Sequence, residues 1–356
     1  MDVETLRDHA HDVLRDACPQ EAAQAHANGP GGVDHKLWGT LVELGWPGLG
    51  VPEAQGGLGC GIVELAAVYT ELGRVVAPVP YVATMLAADN IARAASPEQV
   101  AHWLPRIAAG AMVAMALPGD AVVALNRNDG ISRLSGTCNN LLDGADSAFL
   151  LVLAVDEDGK LHRVVLDSAV DELSLQRIAL YDAGHSLCRL TFDRFVVAPF
   201  AIYPATAEDQ TLAHAATGFA AEAQGGAEAL LQLTIDYLKT RQQFGKPIGA
   251  FQALKHRVAD HRTRIEAGRV LLRAAVAGLA AGVPQAHADA AAAKALICAD
   301  YVALARDAIQ LHGGIGYTQE HACHLFAKRA WLLDALLGGR SASAERAYAL
   351  ALEGAA

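Results

Sequence analysis

Two short segments carry residue types able to hold a polar ligand. The first is Arg241-Gln-Gln-Phe-Gly-Lys-Pro-Ile-Gly-Ala-Phe-Gln252. A guanidinium fork suits the paired oxygens of a pyrophosphate, Phe244 offers a flat face to an adenine or ribose, and Gln252 a polar edge. The second is Gln310-Leu-His-Gly-Gly-Ile-Gly-Tyr-Thr318, where Gly313 and Gly314 expose backbone amides and carry no side chain to keep a ligand away. Taken alone, each segment reads equally well as ordinary helix punctuation. Other chemistry is thin. The Gly-rich stretch Gly48–Gly61 lacks the lysine of a phosphate-binding loop and follows no strand, so it reads as a surface loop. His321 and His324, three apart on one helix without a carboxylate partner, read as surface or interface histidines rather than half of a metal site. The chain has no G-x-S-x-G, no H-E-x-x-H and no spaced cysteine set.

The elements that must position these segments fall into three blocks. Residues 1–111 are helical in pattern: Leu37, Trp38, Leu41, Val42 and Leu44 precede Gly45, and Ile62, Leu65, Ala66, Tyr69 and Leu72 form one helical face. Helical periods resume over Tyr81–Ala95 and Pro97–Ala109. Residues 112–204 shift to a period of two, with strands expected at Met112–Leu117, Ala148–Val155, Leu161–Leu166, Leu173–Ile178 and Leu187–Val197, joined by Gly-, Asn- and Asp-rich turns. Short strands with tight turns predict a small barrel or sandwich. Residues 205–356 return to helix. Leu254, Val258, His261, Ile265, Gly268 and Leu272 make one stripe, a further helix ends at Gly313-Gly314, and another spans Glu320–Leu337 before Gly338-Gly339. The fold class expected is α+β, mostly α, with a four-helix bundle at the C-terminal end.

The chain's bulk properties exclude several functions. Its 356 residues carry 28 Lys+Arg against 39 Asp+Glu, a formal charge of −11, which disfavours nucleic acid and anionic membranes as partners. Mean hydropathy is high for a protein without a membrane segment, at +0.22, yet every apolar run breaks early. Asp156 ends Ala148–Val155 and Lys294 interrupts Ala290–Ala299, so no membrane span is expected. The hydropathy then reflects Ala and Val in a core, or an apolar face covered by a partner subunit. The N-terminal residues show no signal-peptide pattern, and six scattered cysteines read as reduced thiols, together suggesting a cytoplasmic protein.

The pattern Arg241-x-x-Phe244-Gly245-x-x-Ile248-x-x-x-Gln252, followed by Gln310-x-His312-Gly313-Gly314-x-Gly316-Tyr317, resembles the acyl-CoA dehydrogenase family. The N-terminal Leu44-Gly-Trp-x-Gly-Leu-Gly-Val-Pro-Glu-x-x-Gly-Gly-Leu-Gly59 is similar to it too, and the likeness covers essentially the whole chain. It implies an N-terminal helical domain, a middle β-barrel and a C-terminal four-helix bundle. It further implies FAD shared across a subunit interface, with Arg241, Phe244, Gln252, Gln310, Gly313 and Gly314 holding the ADP half of a flavin seated mainly in the neighbour. The implied reaction is α,β-dehydrogenation of an acyl-CoA, with electron transfer flavoprotein as acceptor.

Departures from the family refine that expectation. The family's catalytic Glu stands in one of two places, which here fall on Leu337 and Ala215, and neither side chain can accept a proton. Glu222 and Glu228 lie on the same helix as Ala215 but match neither position. The flavin-facing segment reads Ala116-Leu-Pro-Gly-Asp120 without the usual Gly-Ser-Asp, and the Trp-Ile-Thr that packs on the flavin corresponds to Asn140-Leu141-Leu142. The pattern resembles the base-lacking subunits of bacterial hetero-oligomeric acyl-CoA dehydrogenases acting on steroid side-chain CoA thioesters. It implies an α2β2 heterotetramer whose homologous partner supplies the Glu, and an isolated chain without activity. A homomeric flavoenzyme with a displaced base and a non-catalytic assembly subunit are the alternatives.

Overall fold

The computed structural model describes residues 2–29, 31–117, 123–170 and 173–354. The described chain groups into two compact units, one of residues 28–61 and 78–215 and the other of 1–27, 62–77 and 216–356.

In the first of these units, helices α3 (His35–Glu43), α5 (Tyr81–Ala94) and α6 (Pro97–Ala108) accompany a sheet. The helix signals are local. Asp34 caps α3 by accepting from the amides of Lys36 and Leu37. At the start of α6, Ser96 and Gln99 form a reciprocal capping box, with Pro97 inside the first turn. The Gln99 amide also donates to the carbonyls of Phe200 and Ile202, 2.7 and 3.0 Å away, so this buried side chain leaves nothing unpaired. The Gly-rich loop is tied up internally: the amides of Leu58, Gly59 and Cys60 donate to the carbonyls of Gly48, Val51 and Leu49. A Cβ on Gly57 would stand 2.0 Å from the Val51 carbonyl oxygen. Its glycines serve backbone packing, and those amides are not free to cradle a phosphate.

The sheet contains β1 (Val113–Met115), β2 (Val123–Asn128), β3 (Ile131–Leu142), β4 (Phe149–Asp156), β5 (Leu161–Asp167), β6 (Ser174–Ile178), β7 (Leu187–Val197) and β8 (Ile202–Pro204). They pair in the order β6-β7-β3-β2-β4-β5-β8, with β1 on β4. Inward residues of β1, β2, β3, β4, β5 and β7 share one apolar core. Three of these strands were not expected from sequence. Only Val123 and Leu125 of β2 face inward, and β8 is three residues long. Strand β3 is interrupted by Gly136 and by a bulge between Cys138 and Leu141, where Asn140 takes a left-handed φ of +64°. Each interruption reads as a turn in sequence. Arg163 of β5 is fully buried and forks onto Glu208 at 2.9 and 2.5 Å, while donating to the Ala116 carbonyl at 2.6 Å. It therefore fixes the chain leading into the expected flavin segment, whose Pro118-Gly119-Asp120 lie outside the described residues.

The other unit is helical: α1 (Val3–Ala17), α2 (Gln20–Ala27), α4 (Ile62–Arg74), most of α7 (Glu208–Thr240), α8 (Gln252–Ala280), α9 (Gln285–His312), α10 (Cys323–Ala335) and α11 (Gly339–Glu353). Leu6, Ala10 and Leu14 of α1 repeat every four residues and are buried, and α1 packs on α4. The expected stripe on α8 is buried from His261 to Leu272. Helix α4 crosses α7 where both chains lack side chains: a Cβ on Gly73 would lie 1.9 Å from the Glu222 carbonyl, and one on Gly225 1.8 Å from that of Thr70.

The expected helix Glu320–Leu337 is shorter at both ends. It starts at Cys323 and stops at Ala335, because Leu337 and Gly338 both adopt left-handed φ values, +59° and +79°. Gly339 then opens α11 rather than a loop. Among the described residues no cysteine is in a disulfide, and five of the six are buried. Among the described residues no helix is long and apolar enough to cross a membrane.

Candidate functional site

Helix α7 closes at Thr240, and the next residues form a miniature hairpin, β9 (Gln242–Gln243) against β10 (Lys246–Pro247). Its two turn residues, Phe244 and Gly245, have φ values of +54° and +77°. Two positive values in a two-residue turn normally call for Asn-Gly. A phenylalanine there is conformationally costly, and such residues gather at functional positions. Phe244 stands at the tip, 88% exposed, with its edge toward Phe251 at 6.0 Å.

Across from the hairpin, α9 ends at His312. Gly313 turns the chain with φ +65° and donates its amide to the Gln310 carbonyl, and a short 3-10 turn runs to Tyr317. Tyr237, one helical turn before Arg241, joins the two segments: its hydroxyl donates to the His312 carbonyl at 3.1 Å, and its ring lies 4.5 Å from the His312 ring. The result is a cavity of about 470 Å³ lined by Tyr237, Arg241, Gln243, Ile248 and residues 310–315. Four of the residues singled out from sequence (Arg241, Gln310, Gly313 and Gly314) meet on this wall. Phe244 and Gln252 do not line it: the first is carried off by the hairpin, and the second lies exposed at the start of α8. The sequence reading missed Tyr237, although its i, i+4 spacing to Arg241 places both on one helix face.

The glycines of the second segment have separable roles. Gly313 needs its positive φ. A Cβ on Gly316 would lie 2.8 Å from both the His312 Cβ and the Ile309 carbonyl. Gly314 has neither constraint, since its φ is not positive and nothing lies within 4 Å of a Cβ there. Its missing side chain leaves open space on the cavity wall, as a close-lying ligand requires. Gly316→Ala is therefore expected to lower stability by about 1–3 kcal/mol through overpacking. On the expectation that this cavity takes the ADP half of FAD, Gly314→Ala should leave the melting temperature nearly unchanged and weaken ADP binding measured by calorimetry. Equal ADP affinity in Gly314→Ala and wild type would contradict this assignment.

Below the turn lie three histidines. Of the pair noted in sequence, His324 Nδ1 donates to the His321 carbonyl at 2.7 Å. His321 is half-buried and lies 4.4 Å ring to ring from His312. Burial lowers the pKa of each, with the neighbouring imidazoles adding to the effect at His321. Burial also pushes the Cys323 thiol up to about 12.

The sequence reading expects a catalytic carboxylate to be replaced at Leu337 and Ala215. Leu337 is half-buried and Ala215 fully buried. Beside Ala215, His214 is engaged at both ring nitrogens, with Asp89 at 3.1 Å and Gln210 at 2.7 Å. Glu222 lies 2.5 Å from the buried Arg329 guanidinium. Glu228 sits between Arg74 and Arg269 at 2.7 and 2.9 Å. Burial opposes its ionisation, but bonds from Gln224 and Arg74 and the charge of Arg269 outweigh that and hold its carboxyl below the usual range. In the sheet, Leu141 and Leu142 are buried, so neither presents a side chain to a ligand.

Comparison with known proteins gives the chain's family. The chain matches the family models for the acyl-CoA dehydrogenase N-terminal domain over residues 2–111 and C-terminal domain over residues 206–349. It is similar to acyl-CoA dehydrogenase IpdE2 of Mycobacterium tuberculosis, 36% identical over 320 residues that cover 89% of this chain and 87% of that protein. Among solved structures it resembles a chain of the ChsE4-ChsE5 complex from Mycobacterium tuberculosis, with a TM-score of 0.90, 25% identity and 99% of both chains covered. A variant of the Tcur3481-Tcur3483 steroid ACAD matches with a TM-score of 0.89 and 31% identity, covering 99% of this chain and 98% of that one.

Proposed function

The chain belongs to the acyl-CoA dehydrogenase family, and from that premise we propose that it is the base-lacking subunit of a hetero-oligomeric, FAD-dependent acyl-CoA dehydrogenase. The observation that carries the reading is an asymmetry. Arg241, Gln310, Gly313 and Gly314 meet around one cavity, while Leu337 and Ala215 supply no carboxylate at either place a base would stand.

The residues present suit the ADP half of FAD. Arg241 can fork onto the pyrophosphate, Gln310 offers a polar edge, and the open space at Gly314 admits close backbone approach. Phe244, held out at the hairpin tip, is placed to touch a group seated in a neighbouring subunit. FAD, when bound, supplies the oxidant that takes the β-hydrogen as hydride. The proton at the α-carbon then falls to a glutamate of a homologous partner. Glu222 and Glu228 are poor candidates for that task because each already serves as an ion-pair acceptor. The likeness to a steroid ACAD and to a hetero-complex supports a steroid side-chain CoA as the thioester. Electron transfer flavoprotein is the acceptor that goes with the family reaction.

The test is expression of this chain with and without the homologous partner, recording flavin absorbance and acyl-CoA dehydrogenation. Full flavin loading and turnover by this chain alone would overturn the proposal. In the complex, Arg241→Ala is expected to weaken flavin retention roughly 10–100-fold, the worth of a charged hydrogen bond at about 1.5–3 kcal/mol. Unchanged flavin content and rate would assign the chain to assembly instead.

A further inference from the structure

We propose that His312, His321 and Cys323 form a binding site for a thiophilic transition metal ion, Zn²⁺ in the first instance, fastening the end of α9 to the start of α10. One donor atom from each residue lies within 4.8 Å of the others. The Cys323 sulfur is 3.4 Å from His312 Nδ1, which sets the thiol against the imidazole whose other nitrogen would face the ion.

The second, independent observation is the state of His312. Its Nδ1 donates to the Ala308 carbonyl at 2.8 Å, so the neutral ring keeps its lone pair on Nε2. That atom is buried, in a residue only 2% exposed, and has no hydrogen-bond partner among the described residues. A buried acceptor without a donor is costly in a merely structural histidine. In a metal ligand the same arrangement is the usual one: one ring nitrogen donates to a carbonyl and fixes the tautomer, and the other faces the ion.

The remaining donors are held by the same fold. The Cys323 amide donates to His321 Nδ1 at 3.3 Å, which ties that ring to the residue that opens α10; an ion on His321 would replace this long bond. Cys323 is the first residue of that 13-residue helix. Two imidazoles and one thiolate suit zinc or copper(I) over magnesium or calcium. The fourth position of a tetrahedral ion would be left to water. Because His312 also lines the cavity beside Gly313, metal binding would stiffen the wall of that cavity. The site itself does not depend on FAD.

The experiment uses the reduced, metal-free full-length chain titrated with Co²⁺ as the spectroscopic substitute for Zn²⁺. One equivalent per chain should bind, giving a near-ultraviolet thiolate-to-cobalt band and intense visible bands of a tetrahedral ion, both abolished by added Zn²⁺. Cys323→Ser should remove the near-ultraviolet band. His321→Gln, a change at a half-buried position, should weaken Co²⁺ binding by at least about 10–100-fold, the loss seen even for outer-shell partners. No near-ultraviolet band in the wild type, a band that persists in Cys323→Ser, or unchanged affinity in His321→Gln would each overturn the proposal.

Discussion

Replacing Arg329 by methionine is expected to destabilise the helical unit by about 3–5 kcal/mol, the cost of stranding a buried charge. Arg329 is 1% exposed, contacts Glu222 at 2.5 Å and reaches the Ala77 carbonyl at 3.3 and 3.4 Å. Glu222 is itself buried, and α4 crosses α7 directly over its backbone at Gly73. Without the guanidinium, the carboxylate has neither water nor a cation and must take up a proton or open the crossing. Glu222→Gln should cost a comparable amount for the opposite reason, since it strands the guanidinium. The double variant Glu222→Leu/Arg329→Met should recover most of the loss, because an apolar pair of similar volume is often neutral or better at such a site. Urea unfolding of these four proteins and of Glu222→Leu measures the losses and closes the cycle. A single variant within about 0.5 kcal/mol of wild type would show that the pair contributes no more than a surface ion pair.

This pair also marks the limit of what the sequence made legible. The helix ends that build the cavity were readable because each is punctuated locally: Gly245 after Arg241, and Gly313 after His312. The arrangement at Phe244 was not, since a bulky residue in a left-handed turn violates the preference by which turns are recognised. The bulged strand β3 failed for a related reason, as Gly136 and Asn139-Asn140 read as breaks where the strand kinks and continues. Contacts between distant positions left no local trace. Glu222 and Arg329 are 107 residues apart, and each reads alone as a solvated charge on a helix. His312 and Cys323 lie on two different helices, so a search for closely spaced ligand motifs passes between them. The proposed absence of a base rests, by contrast, on sequence counting alone, which puts Leu337 and Ala215 where the family resemblance would put a carboxylate.

Restoring a carboxylate with Leu337→Glu is expected to leave the isolated chain without turnover, although a correctly placed general base contributes about 10²–10⁴ to rate. The backbone should accept the change. Leu337 already stands at φ +59°, a conformation costing a leucine about 1–2 kcal/mol, and its half-buried side chain gives a carboxylate access to water. The expected silence comes from the sheet. A base accelerates the reaction only where the substrate is held against the oxidant, and the positions that would pack on a flavin are Asn140 at the bulge and Leu141 and Leu142 in the apolar core. Turnover should instead track the partner. In the hetero-complex, changing the partner's catalytic glutamate to glutamine should lower the rate by about 10²–10⁴, and Leu337→Glu in this chain should not restore it. Steady-state dehydrogenation by the four combinations separates the two glutamate positions. Rescue by Leu337→Glu would mean that this chain's sheet seats a working flavin after all, and that its missing base alone keeps it silent.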